Sequence, residues 1–272
     1  MTDIRMIAMD MDGTLLTREG KIPPENLRAM QDALKMGVLP VIASGRFPEN
    51  VSLILMEAGL DIPIIGTNGC EIMEAPMGEL LFEHFMDADA ARAAAALLNQ
   101  YDAGFFLFSP KRVTTSRAEE RHHTELSYES ILREHGFYYG HGQEAVRTAL
   151  ETGVYKFFVP KNGRDLSVLR EELSKIPHLS VTSSSPNNIE LMPEGIDKGT
   201  GIRELAGHLG IPLAQVMTLG DQENDLPMLT CVGCGVAMGN APDQVKQQAR
   251  YTTANFDECG VAKAIEKYVL NA

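Results

Sequence analysis

Two carboxylates one residue apart, in the run Asp10-Met11-Asp12-Gly13-Thr14, follow directly on the apolar stretch Ile4–Met9. Acids this close repel each other unless a cation lies between them or one takes up a proton. With a cation bound, one carboxylate can stay ionised and attack an electrophile while its neighbour carries a proton. Gly13 permits a sharp exit that turns backbone N–H groups toward an anion, and Thr14 adds a hydroxyl. A solvated turn would use the same residues, so the rest of the chain must decide. A second acidic group, Gly220-Asp221-Gln222-Glu223-Asn224-Asp225, ends the apolar run Val216–Leu219. Its acids also call for solvent or a metal ion, and hard oxygen donors suit Mg²⁺. The alternative is that they only cap the helix predicted over Leu226–Thr230.

Two further segments could hold an anion. Ser44-Gly45-Arg46 follows the apolar run Val38–Ala43 and precedes a helix opened by Pro48. A serine hydroxyl and the Gly45 N–H at such a junction could grip phosphate oxygens, although Ser-Gly-Arg is also an ordinary turn. Lys198 starts a helix carrying Ile202, Leu205 and Leu209. A lysine there opposes the helix dipole, which an anion in front of it would explain; an exposed lysine is the alternative.

The elements that must position these residues are short. Ile4–Met9, Val38–Ala43, Ile62–Ile65 and Val216–Leu219 read as buried strands, and Gly235–Ala241 as a strand closing on a turn. Helical stripes lie between them: Leu27, Met30 and Leu34 after Pro23-Pro24, then Val51, Ile54, Leu55 and Ala58. Alternating strands and helices predict the α/β class with a parallel sheet, whose strand ends would bring Asp10 and Ser44 to one edge. Leu15–Ile22 suits a short hairpin or flap, Thr67-Asn68-Gly69 a turn, and Glu71–Met73 with Leu80–Phe85 a hairpin.

From about residue 87 to 186 the pattern changes to helix, strand, a basic and histidine-containing region, strand, helix and strand, with no paired acids at a strand end. This block is expected to be an inserted domain, leaving residues 1–86 and 187–272 as the core. Asn188–Met192 reads as the return of the core pattern. His122-His123 with Glu125 suggests a metal, but adjacent side chains point apart, so a solvated or substrate-facing surface fits better.

At 272 residues and 44% hydrophobic content the chain can bury a sizeable core. No apolar stretch approaches the roughly 20 residues of a membrane span. The N-terminus lacks the basic-then-apolar order of a secretion signal, and a cytoplasmic location is expected. A net charge of −13 argues against a nucleic-acid partner. A phosphorylated substrate would need local cations: a metal, Lys198, and inserted residues such as Arg112 and Arg117. Cys231 and Cys234 have C-x-x-C spacing without the two further ligands of structural zinc, so these and Cys70 and Cys259 read as small residues in a reducing compartment.

Asp10-x-Asp12-Gly13-Thr14, Ser44-Gly45-Arg46, Lys198-Gly199 and Gly220-Asp221-x-x-Asn224-Asp225 stand in order along the chain. This set resembles the haloacid dehalogenase superfamily, specifically phosphatases of the Cof type. The resemblance implies a HAD-like Rossmannoid parallel-sheet core with an inserted α/β cap of type IIB that selects the substrate. It implies Asp10 as the nucleophile that forms an aspartyl-phosphate and Asp12 as acid and then base. Mg²⁺ would be held by Asp10, the backbone carbonyl of Asp12 and Asp221, with Asp225 in support. Phosphate oxygens would be held by the Met11 N–H, Ser44, Gly45, Lys198 and Asn224, and Asn68 would border the site. The implied substrates are small phosphomonoesters, with sugar phosphates favoured and a phosphorylated pyridoxal or flavin as further candidates. The chain departs from the family's usual pattern at Glu258-Cys259-Gly260, outside the motifs. A phosphomutase on the same scaffold and a regulatory protein phosphorylated on aspartate are the competing expectations.

Overall fold

The computed structural model describes residues 3–117 and 132–271, so His122, His123 and Glu125 lie outside the described residues. The chain divides into two compact units, Met1–Phe82 with Asp197–Ala272, and Glu83–Ile196.

The first unit is built on an eight-stranded sheet. Its order runs Tyr251–Thr252, Cys234–Ala237, Val216–Gly220, Met6–Met9, Leu39–Ala43, Ile64–Gly66, Glu71–Met73, Leu80–Glu83. The first six strands are parallel, and Glu71–Met73 turns back antiparallel to Ile64–Gly66. Met6–Met9 is buried at every position, as a strand covered on both faces must be. Met6 and Ala8 join Val41, Ala43, Ile202 and Leu205 in one apolar layer, and Ile7 and Met9 point to the opposite face. Each Met, Val, Ile or Leu side chain among them removed from water contributes roughly 1.5–3 kcal/mol before ordering is counted.

The order of the strands positions the site. From Met6–Met9 the chain builds outward in one direction through Leu39–Ala43 and Ile64–Gly66. It returns on the other side with Val216–Gly220 and Cys234–Ala237. Met6–Met9 is therefore where the winding reverses, and ligands of open parallel sheets bind at the carboxyl ends of strands at that point. Met9 is in register with Ile42 and Leu219, so Asp10, Ser44 and Asp221 emerge at that edge.

The second unit is a six-stranded sheet in the order Leu179–Thr182, Asn188–Pro193, Lys156–Pro160, Phe106–Ser109, Arg112–Thr115, Tyr138–His141. All pairs are antiparallel except the last. Phe105, Leu107, Phe157, Val159, Ile189 and Leu191 form its core with residues of the helices Ala88–Gln100, Gly142–Thr152 and Ser167–Leu173. Asn188–Pro193, expected to resume the core unit, instead pairs on both sides within this second sheet. Apolar alternation announces a strand but not which sheet receives it. The strands Arg112–Thr115 and Tyr138–His141 and the helix Gly142–Thr152 occupy the stretch for which the sequence suggested no elements. Leu15–Ile22 holds a turn, with Thr17 N–H donating to Lys21 and Gly20 N–H to Thr17, and no strand. Among the described residues no helix is long and apolar enough to cross a membrane.

Candidate active site

Asp10 sits one residue past the central strand, where its N–H still donates to Leu219 at 3.0 Å. The chain then bends through Gly13, at φ +82°. A Cβ on Gly13 would stand 2.6 Å from Asp221 Oδ2, so only glycine lets this loop approach that carboxylate. Thr14 Oγ1 donates to Asp221 Oδ1 at 3.0 Å, tying the first loop to the fourth motif across 207 residues of sequence.

The acids converge. Single carboxylate oxygens of Asp10, Asp221 and Asp225 lie within 4.8 Å of one another, and all three residues are buried. Lys198, 1% exposed, stands among them with Nζ 2.5 Å from Asp10 Oδ1 and 2.6 Å from Asp225 Oδ1. Asp197 caps the helix Lys198–His208 by accepting from the Thr200 N–H at 2.7 Å, and so fixes where that lysine begins. The second oxygen of Asp225 accepts the N–H groups of Asp221 and Gln222 at 2.8 and 2.9 Å, so Asp225 shapes the loop that presents Asp221. Asp221 Oδ2 accepts from Gln222 Nε2 at 2.9 Å and Asn240 Nδ2 at 3.2 Å.

One ammonium does not balance three buried carboxylates. Burial pushes the Asp10 carboxyl well above its ordinary range; Lys198 opposes the rise, and Asp225, Asp221 and Asp12 add to it. Asp221 is pushed up to about 6, chiefly by burial and then by Asp225, against the hydrogen bonds from Gln222 and Thr14. Burial acts to lower Lys198, but Asp10 and Asp225 outweigh it and raise it. A buried all-oxygen donor set with excess negative charge is what a hard divalent cation requires, so these residues fit Mg²⁺.

Asp12 lies outside that cluster. Its side chain is 61% exposed, and Arg46 grips both oxygens, with Nε 2.8 Å from Oδ2 and Nη2 2.6 Å from Oδ1. Met11, next in the same loop, is fully buried. Ser44 is buried, and its Oγ accepts the Arg46 N–H at 3.2 Å; Gly45 follows in the same loop. Asn224 is buried, and its Nδ2 donates to Asn68 Oδ1 at 3.1 Å.

Asn68 belongs to a strained turn. Thr67, Asn68 and Gly69 have φ of 48°, 55° and 99°, and a positive φ is unusual for β-branched Thr67. The turn is held by Thr67 N–H to Arg46 and Asn68 N–H to Ser44, at 2.7 and 2.9 Å. Gly69 packs so close to Asp197 that a Cβ would meet its carbonyl oxygen at 2.2 Å. Strain of this kind costs about 1–3 kcal/mol per residue and collects at functional sites. Arg46, Asn68 and Asn240 join the site through partners distant in sequence. The Arg46 position was visible in Ser-Gly-Arg; its grip on Asp12 was not. No disulfide links Cys70, Cys231, Cys234 and Cys259.

A doubly wound sheet with a buried carboxylate cluster at its switch point defines a Rossmann-like α/β core with a site suited to a divalent cation. Residues 7–265 match the sequence profile of haloacid dehalogenase-like hydrolases, and the chain belongs to that family. It is 33% identical over 268 residues to 5-amino-6-(5-phospho-D-ribitylamino)uracil phosphatase YcsE of Bacillus subtilis, covering 98% of this chain and 97% of that one. It is 31% identical over 247 residues to an HMP-PP phosphatase of Yersinia pseudotuberculosis, covering 90% and 87%. A haloacid dehalogenase-like hydrolase structure from B. subtilis superposes with a TM-score of 0.84 at 25% identity, covering 98% and 100% of the two chains. The structure of a HAD subclass IIB sugar phosphatase superposes at 0.81, also at 25% identity, covering 97% and 98%. The protein is thus a phosphatase of the haloacid dehalogenase family.

Proposed function

We propose that this phosphatase hydrolyses small phosphomonoesters, with sugar phosphates and related polyol phosphates the favoured class, through a phosphoryl group carried on Asp10. The observation that carries the reading is the burial of Asp10 beside Asp221 and Lys198 at the switch point of the sheet. The names of the relatives support the substrate class, since one acts on a phosphoribityl compound and one is a sugar phosphatase.

Asp10 and Asp221, with the Asp12 backbone carbonyl, are the residues we assign to Mg²⁺, which when bound supplies positive charge against the phosphate. Asp10 attacks phosphorus, and its new O–P bond forms as the ester P–O bond breaks. Asp12 gives its proton to the departing oxygen, then takes one from the water that attacks phosphorus and frees Asp10. Lys198, the Ser44 hydroxyl, the Gly45 and Met11 N–H groups and the Asn224 amide hold the remaining phosphate oxygens, where charge spreads in the transition state. Asp225 orients Lys198 and Asp221. For the proton transfer Asp12 must exchange a guanidinium N–H of Arg46 for the leaving oxygen.

The inserted unit, which contains none of these residues, is assigned to choosing the leaving group, and a cytoplasmic setting with small phosphorylated metabolites as partners fits the composition. A screen of phosphorylated metabolites with and without Mg²⁺, beside Asp10→Asn, tests the reading. Mg²⁺-dependent phosphate release that disappears in the variant is expected; full activity in Asp10→Asn overturns it. Exchanging the inserted unit for that of a relative should change the substrate ranking, and an unchanged ranking would remove its selecting role.

A further inference from the structure

Asn50 lies in the first turn of the helix Pro48–Glu57 and is 1% exposed. That helix buries the apolar Val51, Leu53, Ile54 and Leu55 together with the polar Glu49 and Ser52. Its Oδ1 accepts a hydrogen bond from Arg46 Nη1 at 3.2 Å, while its Nδ2 is buried with no hydrogen-bond partner. A buried donor without an acceptor lowers stability, and an aliphatic side chain here would avoid that loss. The fold alone gives no reason for an amide at this position, whereas the acceptor it presents to Arg46 does.

The geometry of the guanidinium shows what that acceptor achieves. Arg46 uses Nε and Nη2 on the two oxygens of Asp12 and Nη1 on Asn50. These donors share one rigid plane, so a bond on the third nitrogen fixes the orientation of the fork that the other two present. Asp12 needs such fixing because its own side chain is 61% exposed. Asn50 is anchored by the helix that starts just after the Ser44–Arg46 loop, with its N–H donating to Phe47 at 3.1 Å.

We infer that Asn50 is a positioning residue for proton transfer by Asp12, acting through the plane of Arg46. This rests on the reading of Asp12 as the proton donor. An activated ester such as p-nitrophenyl phosphate needs little help from a proton donor, whereas an alkyl phosphate needs much. Removing the acceptor therefore spares phosphoryl transfer from the first substrate and slows it from the second.

The test compares kcat/KM for p-nitrophenyl phosphate and for an alkyl phosphate in the Mg²⁺-loaded enzyme, with Asn50→Leu, Asn50→Asp and Asp12→Asn. This ratio reports events up to departure of the leaving oxygen and not the later hydrolysis in which Asp12 is the base. General acid catalysis supplies 10²–10⁴-fold, so a misaligned donor in Asn50→Leu is expected to lose about tenfold on the alkyl ester and under about threefold on the activated one. The melting temperature should change little, because the orphaned donor is gone while Arg46 Nη1, on a side chain 21% exposed, loses its acceptor. Asn50→Asp keeps an acceptor opposite Arg46 and should retain more alkyl-ester turnover than Asn50→Leu. Should Asn50→Leu fail to fold by circular dichroism, Asn50→Ala takes its place. Equal losses on both esters, no loss on either, or an Asn50→Asp no better than Asn50→Leu would overturn the inference. Asp12→Asn separates the two levels: if it shows no preference for the activated ester, the reading of Asp12 itself falls.

Discussion

The Nζ of Lys198 lies 2.5 Å from Oδ1 of Asp10, and both side chains are buried. A cation held this closely restrains the Asp10 carboxylate and offsets part of the repulsion among the acids around it. It does not fully offset burial and the neighbouring acids, which together hold the Asp10 carboxyl above its ordinary range.

Lys198→Met should therefore lose stability as well as turnover. Leaving a buried charge without its partner typically costs 3–5 kcal/mol. Thermal denaturation should show a lower midpoint for the variant without metal, partly restored by Mg²⁺, with turnover reduced by more than about 100-fold. An unchanged midpoint would mean that the lysine holds no essential balance.

The metal-free protein should respond to pH in a direction set by Asp221. Its folded value of about 6 lies above the ordinary 3.8, so the folded state binds more protons between those limits. Stability should accordingly fall as pH rises from about 4 to about 6. Asp10, raised for the same reason, adds to the trend. Mg²⁺ competes with those protons, so its affinity should weaken by about tenfold for each pH unit below 6 if one proton is displaced. Calorimetric titration at several pH values checks this, and a flat affinity from pH 5 to 7.5 would contradict it.

Gly13→Ala tests the close approach of the first loop. The substitution places a Cβ 2.6 Å from Asp221 Oδ2 at a backbone φ of +82°. Strain of about 1–3 kcal/mol is expected, along with weaker Mg²⁺ binding as Asp221 is displaced. Wild-type thermal stability and Mg²⁺ affinity would show that the loop gives way freely.

What the sequence made legible follows from burial. A parallel strand covered on both faces is a continuous apolar run, so Ile4–Met9 and Val216–Leu219 announced themselves, and the polar residues ending them marked the edge where Asp10 and Asp221 meet. Lys198 could be suspected because it opposes its helix dipole, although its partners Asp10 and Asp225 lie 188 and 27 residues away. Contacts between loops left no local signal: the Arg46 fork spans 34 residues, and Asn240 reaches back 227 to the Gly13 carbonyl. Arg112–Thr115 escaped notice because four residues are too few to show a period, and Gly142–Thr152 because only Val146 and Ala149 of its residues are buried. Asn188–Pro193 was visible as a strand, but its sheet depends on pairing partners that alternation does not encode.

The central claim is that phosphorus is bonded to Asp10 during turnover. Acid quenching of the Mg²⁺-loaded enzyme within the first turnover, followed by borohydride reduction, converts an aspartyl-phosphate to homoserine that peptide mass spectrometry can locate. Conversion at position 10, dependent on substrate and on Mg²⁺ and absent from Asp10→Asn, is the predicted result. Phosphate release at the normal rate with position 10 unmodified, or modification at another residue, would contradict the account.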